Sequence, residues 1–483
     1  MATRTEQKAF PTAFGAGYNT LGGSGGAMCV VNSLLDTNTG SYNASTNTYT
    51  GTFRYCLTRP VPRTIFFAVS GVITIIQSPF VPIIQGSSYN NLSIMGQTSP
   101  EGGITIEVNE ELMFQNVDSI IIRYLRVRSR SSTQDALWLL NCTNVITDHL
   151  SVSYGGDEAL SISGSTGTSG NVTISRCFFQ ESKTGTILGV DNVEGDFTYA
   201  YNLCANISHR FPNPKGAGRY DIFNNSIYNW KERTVRITNN PQCNIVNNYH
   251  YAGQNGLHAP GWFGVGGNIT SRTYKLQYKV DKNPLIYCAG NVFYPSFRTN
   301  PQTNDWLLWQ IFAGSDTTYQ GSPIAEGDPV PTEFQTLTPF SYVGLTIPIV
   351  PATSAHNDIV QNVGCRYRIN ALGQRVDNTD TVDQNYLDKV INDTETEFYT
   401  ARNNYTYSTI TSNTIGTDTN GDGIPDQWAI SKGFLTTDRI HDVLNPQTGY
   451  TYAEDYANTV DITPTVEPIT TFKKTPLHTL AIL

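Results

Sequence analysis

Charge is scarce in this sequence. Only 15% of its 483 residues are Asp, Glu, Lys or Arg, against roughly 25% in an ordinary soluble protein. Long surface helices draw on Glu, Lys and Arg, so an extended helical architecture is disfavoured. A basic excess is missing too: 31 Lys and Arg face 40 Asp and Glu, a formal charge of -9. Nucleic-acid binders carry a basic footprint, and this chain has none. Long apolar runs are absent, the longest, Thr64 to Ile76, having 13 residues, whereas a spanning helix needs about 20. No membrane span is expected. The opening, MATRTEQKAFPTAFGAGYN, lacks the apolar stretch of a secretory leader, so an exported chain has lost its leader or leaves by another route. The eight cysteines include no CxxC pair, which excludes zinc ribbons and thioredoxin-type chemistry. They read as small buried hydrophobes, Cys142, Cys177 and Cys204 among them as stacked core residues.

What is present is 39% hydrophobic residues, 11% aromatics and abundant Asn, Thr, Ser and Gly, the mixture of short strands joined by tight turns. The strands recur. LSIM ending at Met95 aligns with IIIRYLRV around Arg123, VITDHLSV around Asp148, VTISRCFF around Ser175, FTYAYNLCA around Tyr201, YDIFNNSIY around Asn224 and CNIVNNYHY around Asn247. Successive anchors lie 28, 25, 27, 26, 23 and 23 residues apart, and LIYCAGNVFY around Gly290 follows after 43. Such a period marks a solenoid. It is too short for a strand and a crossover helix in every unit, and it fits three short strands and three turns. The chain is therefore expected to be all-β, a parallel β-helix of at least eight coils over about residues 60 to 297. Asn202, Asn225, Asn248 and Asn291 share one column, where stacked amides form a ladder along the axis.

Outside the repeat, residues 252–285 and 298–355 read as loop insertions. Residues 384–397 place Leu387, Val390 and Ile391 at helical spacing. The β-helix with its loops is assigned to residues 1–416 and a small tail motif to 417–483. In the tail, Asp418, Asn420, Asp422 and Asp426 put oxygen-bearing side chains around a Gly turn. Calcium takes six to eight hard oxygen ligands, and this spacing supplies several. The twelfth position, where an EF-hand has Glu, is Ala429. The loop is thus of the thrombospondin type 3 or dockerin-like kind, while the same pattern also closes Asx turns without an ion.

The segments AFPTAFGAGYNTLGGSGG, GTFRYCL, PRTIFFAVSGVITI, GQTSPEGGITIEV, VITDHLSVSYGGDEALSIS and HRFPNPKG, in this order, resemble the family 1 polysaccharide lyases, the pectate lyases. GQRVDNTDTVDQNYLDKVI and DGIPDQW are similar to the C-terminal part of a bacterial subgroup. The resemblance covers nearly the whole chain. It implies a right-handed parallel β-helix and Ca2+-assisted β-elimination on polygalacturonate or a similar acidic polysaccharide. On the matching positions it implies Asp135 and Asp157 as metal ligands with Glu158 in support, Thr133 and Ser161 standing where many relatives have further carboxylates. It implies Lys183 and Lys215 as substrate contacts and Arg210 as the proton-abstracting base, its pKa lowered by neighbouring cations. Asp148 and His149 match a signature of structural role. Such an enzyme is expected to be an extracellular monomer.

A second reading is a homotrimeric phage tail or virion-surface appendage that binds or depolymerises a host glycan, since β-helices, an uncharged Thr/Asn-rich surface and a leaderless start suit it. A hydrolase on this fold would use paired Asp carboxylates, and no convincing pair is apparent.

Overall fold

The computed structural model describes residues 7–164, 170–189, 195–253, 274–294, 305–312, 314–397 and 413–461. Three parallel sheets wind into a β-helix. The first contains twelve strands, ten of them stacked from Ala27–Ser33 through Arg63–Phe67 to Leu285–Ala289. The hairpin Gly40–Asn43 and Thr48–Thr52 adds the other two at its low-numbered end. The stack therefore begins near residue 27, not 60; this hairpin and the helix Phe53–Leu57 separate the first two coils and hide the period. The second sheet runs from Gly71–Ile75 to Val292–Tyr294. The third runs from Ile84–Gln85 to Asn213–Pro214, and Arg236–Ile237, Tyr274–Leu276 and Trp309–Ile311 form a further three-stranded parallel sheet beside it. Both late strands fall in stretches expected as loops, 252–285 and 298–355. The remainder of those expectations at 254–273 and 298–304 lies outside the described residues.

Inward columns form the core. Leu92, Ile120, Val145, Val172, Phe197, Tyr220, Cys243 and Ile286 stand in register across eight coils and are all buried. Phe197 and Tyr220 stack with ring centroids 4.6 Å apart, the separation that strand spacing dictates. All eight cysteines are buried and unbridged. Because one face of every strand is sealed, register is strongly specified. It corrects the sequence alignment by one residue: Ser175 pairs with Ala200, Ala200 with Phe223, Phe223 with Val246 and Val246 with Ala289.

The residue after each of these strands makes the corner into the second sheet. Tyr124, His149, Arg176, Tyr201, Asn224, Asn247 and Gly290 all have φ between 50° and 69°, a single left-handed residue being enough to turn the chain sharply. The next position holds the asparagine ladder. Asn225 Oδ1 accepts from Asn202 Nδ2 at 3.0 Å, Asn248 Oδ1 from Asn225 Nδ2 at 2.9 Å, and Asn291 Oδ1 from Asn248 Nδ2 at 2.9 Å. Each carboxamide oxygen also receives a main-chain N–H, and the ladder ends at Asp305.

The chain after the last coil wraps the outside. Helix Thr381–Asn392 buries Leu387 and Val390 as the spacing predicts, while Ile391 is 51% exposed. Its first turn holds Asp380 and Asp383 against the fully buried Arg126 and Arg128 of the second sheet. Helix Ala352–Asn362, whose first turn falls at the end of the 298–355 stretch read as loop, buries Ala355, Ile359 and Val360. The described part of the tail packs Ile424, Trp428 and Tyr456 with Met28, Phe66, Met95 and Ile121 of the first sheet. Residues 462–483 of the tail assignment lie outside the described residues. No helix among the described residues is long and apolar enough to cross a membrane.

Candidate functional site

The side chains singled out for chemistry meet where loops from the second sheet enter the third. Asp135 precedes strand Leu137–Leu140, and Glu158 opens strand Glu158–Ser163 one coil later. Parallel pairing therefore sets the two acids side by side, with the Glu158 N–H donating to Asp135 Oδ1 at 3.0 Å. Asp157 joins them, and oxygens of Asp135, Asp157 and Glu158 lie within 4.8 Å of one another. Three hard carboxylates at this separation, two of them buried, suit a divalent cation. The Asp135 carboxyl is pushed up to about 7, first by burial; the Ser161 hydrogen bond opposes this, Asp157 adds to it, and Arg210 opposes it. Of the two replaced positions, Ser161 hydrogen-bonds Asp135, and Thr133 is exposed.

The cations come from the next two coils. Lys183 Nζ stands 4.0 Å from Asp157 Oδ1. Arg210 Nη1 is 3.9 Å from the same oxygen and pairs directly with Glu158. Arg210 itself has φ +73°, and its carbonyl accepts from the Thr186 N–H at 2.8 Å, which anchors this turn to the coil before. Burial lowers the Arg210 pKa, while Asp157, Asp135 and Glu232 oppose the shift. The cause differs from the one expected: desolvation drives it, and the groups in contact with the guanidinium are carboxylates. Lys215 stands five residues further along the chain, just past strand Asn213–Pro214, and its carbonyl accepts from Asn239. The structure thus gathers Asp135, Asp157, Glu158, Lys183 and Arg210, and sets Lys215 farther across the sheet.

Sequence reasoning missed several neighbours. Glu110 and Glu111 lie one coil before Asp135, and Glu111 is raised to about 7 chiefly by burial, with Asp135 and Glu110 adding to it. Arg233 lies one coil beyond Arg210, lowered to about 10 by burial and then by Arg236. His209 is held down at about 3 by burial and by Arg233, Arg236 and Lys183, so its imidazole is neutral at neutral pH. The coil period carries the signal for Glu110 and Arg233, which fall 25 residues before Asp135 and 23 after Arg210.

In the tail, Asp418 accepts from the N–H groups of Gly421, Asp422 and Gly423, and Asn420 Oδ1 from the Asp422 N–H. Asp422 is buried and accepts from Ile424 and Ile440 N–H at 3.1 and 3.0 Å. Asp426 turns to Thr419, accepting its N–H and hydroxyl. The four residues therefore share one loop, and backbone donors occupy an oxygen of each of them and both oxygens of Asp418 and Asp422. Asp148 is fully buried against Arg123 at 3.1 Å and His149 Nδ1 at 2.8 Å, away from the acids on the third sheet.

No family model matches the sequence. Among curated proteins, the chain is 27% identical over 460 residues to Probable pectate lyase C of Emericella nidulans, covering 94% of this chain and 92% of that protein. It is 33% identical over 253 residues to the protein of the same name from Aspergillus fumigatus, 51% of this chain and 54% of that one, and 34% identical over 253 residues to that of Aspergillus oryzae. The chain thus spans nearly all of the first relative and about half of the Aspergillus proteins. Solved structures similar in fold include pectate lyase Bsp165PelA from Bacillus sp. N165 in complex with trigalacturonate, at 17% identity over 72% of this chain and 98% of that one, TM-score 0.46. Another is the cedar-pollen allergen jun a 1, at 18% identity over 73% and 92%, TM-score 0.42. The curated relatives are fungal, which corrects the bacterial affinity read from the tail, and nothing supports a virion appendage. Along nearly its whole length, then, this parallel β-helical chain is similar to a protein named as a probable pectate lyase.

Proposed function

We propose that the chain is an extracellular enzyme that cleaves a uronate polymer of the polygalacturonate kind by calcium-assisted β-elimination. The observation that carries this reading is Arg210 set against three clustered carboxylates on one sheet face. The C5 proton of a uronate is weakly acidic because the adjacent carboxylate is already negative. Asp135, Asp157 and Glu158 would hold Ca2+, whose charge at the substrate carboxylate favours the developing carbanion. Arg210, in its neutral form, takes the C5 proton. The electron pair left behind forms the C4–C5 double bond, the C4–O bond breaks, and the departing glycosidic oxygen acquires a proton. Free guanidinium holds its proton above pH 12; burial moves Arg210 in the direction a base needs. Lys183, adjoining Asp157, pairs with the uronate carboxylate, and Lys215 with a second one across the sheet.

The test is product analysis on polygalacturonate with and without calcium. Elimination leaves an unsaturated, ultraviolet-absorbing sugar end, formed only with the metal. Saturated products would mean hydrolysis, and an intact polymer would mean a binding protein; either outcome overturns the reading.

A further inference from the structure

The second sheet has two edges, and the acids occupy only the one from which the chain leaves for the third sheet. Glu110 and Glu111 follow strand Ile104–Val108, whereas Pro100 and Glu101 precede it. A five-residue strand spans about 15 Å, so groups gathered at its start stand apart from the acid cluster. The tail is tied down at this entry edge: Thr414 bridges to Val69, and the Asn413 N–H donates to Ser70 Oγ at 3.1 Å. Between the tail, Glu101 and the hairpin of Tyr367–Ile369 with Arg375–Asp377 lies a cavity of about 410 Å3. Ordinary small-ligand sites measure roughly 300–1,000 Å3.

Part of the lining is held in place before any ligand arrives. Asn370 Oδ1 accepts the N–H groups of Leu372 and Gln374 at 3.0 and 2.9 Å, and its Nδ2 donates to Gln374 Oε1 at 3.0 Å. This fixes the hairpin turn, which presents Leu372, 51% exposed, to the cavity with Ile415 opposite it on the tail. Arg368 enters from the middle of its strand, and its Nε is buried with no hydrogen-bond partner among the described residues. A desolvated donor left unpaired is costly. Burial lowers the Arg368 pKa, and the strongest opposing influence is Glu101. Gln427, in helix Asp426–Ser431, adds a carboxamide to the same wall.

These groups define a ligand class. Arg368 and Glu101 cancel in charge, so the cavity favours neither a polyanion nor a cation. A guanidinium only donates, a carboxylate only accepts, and a carboxamide does both. Neighbouring hydroxyls on one ring can accept from Arg368 and donate to Glu101, while the C–H face of that ring covers Leu372 and Ile415. We propose that this cavity is a second, non-catalytic site that binds an uncharged saccharide, separate from the sheet face where the uronate polymer reacts. It holds the enzyme on neutral polysaccharide and takes no part in the elimination.

Calorimetry on the full chain with galactotetraose, arabinotetraose and xylotetraose tests the site. At least one of the three should bind wild type saturably at millimolar concentration. Loss of a hydrogen bond to a charged group corresponds to about ten- to a hundredfold in affinity, and Arg368→Ala should weaken binding by that factor. Its turnover on polygalacturonate should change by less than about twofold. Gln427→Ala, on a different element, should weaken the same binding by about threefold or more and reads the site even if Arg368→Ala loses its fold. The proposal is overturned if none of the three saccharides binds, if both variants bind them as wild type does, or if the Arg368-dependent site takes trigalacturonate in their place. Each of these results would leave the elimination reading standing.

Discussion

Replacing Asn225 by alanine removes the middle of the ladder. Its Oδ1 accepts from the main-chain N–H and the Nδ2 of Asn202, both at 3.0 Å. Its Nδ2 donates to Tyr199 O at 2.8 Å, Phe223 O at 3.2 Å and Asn248 Oδ1 at 2.9 Å. Asn202, Asn225 and Asn248 are all buried, so water cannot readily replace the lost partners. With about 1 kcal/mol net per neutral hydrogen bond, and more where a buried donor is left unpaired, the five contacts suggest a loss of about 3–5 kcal/mol. That is a large fraction of the roughly 5–15 kcal/mol that holds a domain folded. Urea denaturation followed by fluorescence should show a lower midpoint with an unchanged slope. Asn225→Asp keeps the acceptor but loses both donor hydrogens and buries a charge, so it should be at least as damaging. A loss below about 1 kcal/mol for the alanine variant would refute the reasoning, because the ladder would then be decoration on a stack held by its apolar columns.

Three further expectations follow from the same geometry. Ser161→Asp adds a carboxylate beside Asp135 and should tighten calcium binding in the absence of substrate by roughly tenfold or more, read by calorimetry; an unchanged affinity would show that the replaced position does not face the ion. If the Asp418–Asp426 loop holds calcium, a chelator lowers the melting temperature of wild type but not of Asp422→Ala, while the substitution lowers it by itself because Ile424 and Ile440 N–H lose their acceptor; equal chelator sensitivity in both would place the ion elsewhere. At acid pH, burial works to raise Asp380, but Arg126 and Arg128 outweigh it and hold the carboxyl down at about 2. Its stabilising contribution is therefore present above the ordinary Asp pKa of about 4 and lost as pH falls toward 2, so Asp380→Asn should lower stability near neutrality and flatten the stability profile in that window.

Much of this architecture was legible because it repeats. The column of Asn202, Asn225, Asn248 and Asn291 could be read directly, since each rung needs a side chain that both donates and accepts, and the ladder's 23-residue step is regular until the last coil. The first coils were not legible, because the hairpin at Gly40–Thr52 separates Ala27–Ser33 from its partner Arg63–Phe67. The strands Arg236–Ile237 and Tyr274–Leu276 are too short to show a two-residue period. Long-range ion pairs left no local trace either: Arg123 meets Asp461 at 2.5 Å across 338 residues, and Arg128 meets Asp380 and Asp383 across about 250. At the site, resemblance placed Asp135, Asp157, Lys183 and Arg210. The direct pairing of Arg210 with Glu158, and the burial that shifts the guanidinium, depend on how successive coils stack.

The central claim is that Arg210 removes the C5 proton, and turnover of Arg210→Ala on polygalacturonate with calcium tests it most directly. Loss of a general base costs on the order of 100- to 10,000-fold, so the account predicts near-abolished formation of unsaturated ends with uronate binding still measurable. Arg210→Lys, which keeps a positive charge on a shorter reach, should be nearly as inactive. Retention of more than about a tenth of wild-type turnover by Arg210→Ala, less than the smallest loss expected for a general base, would contradict it.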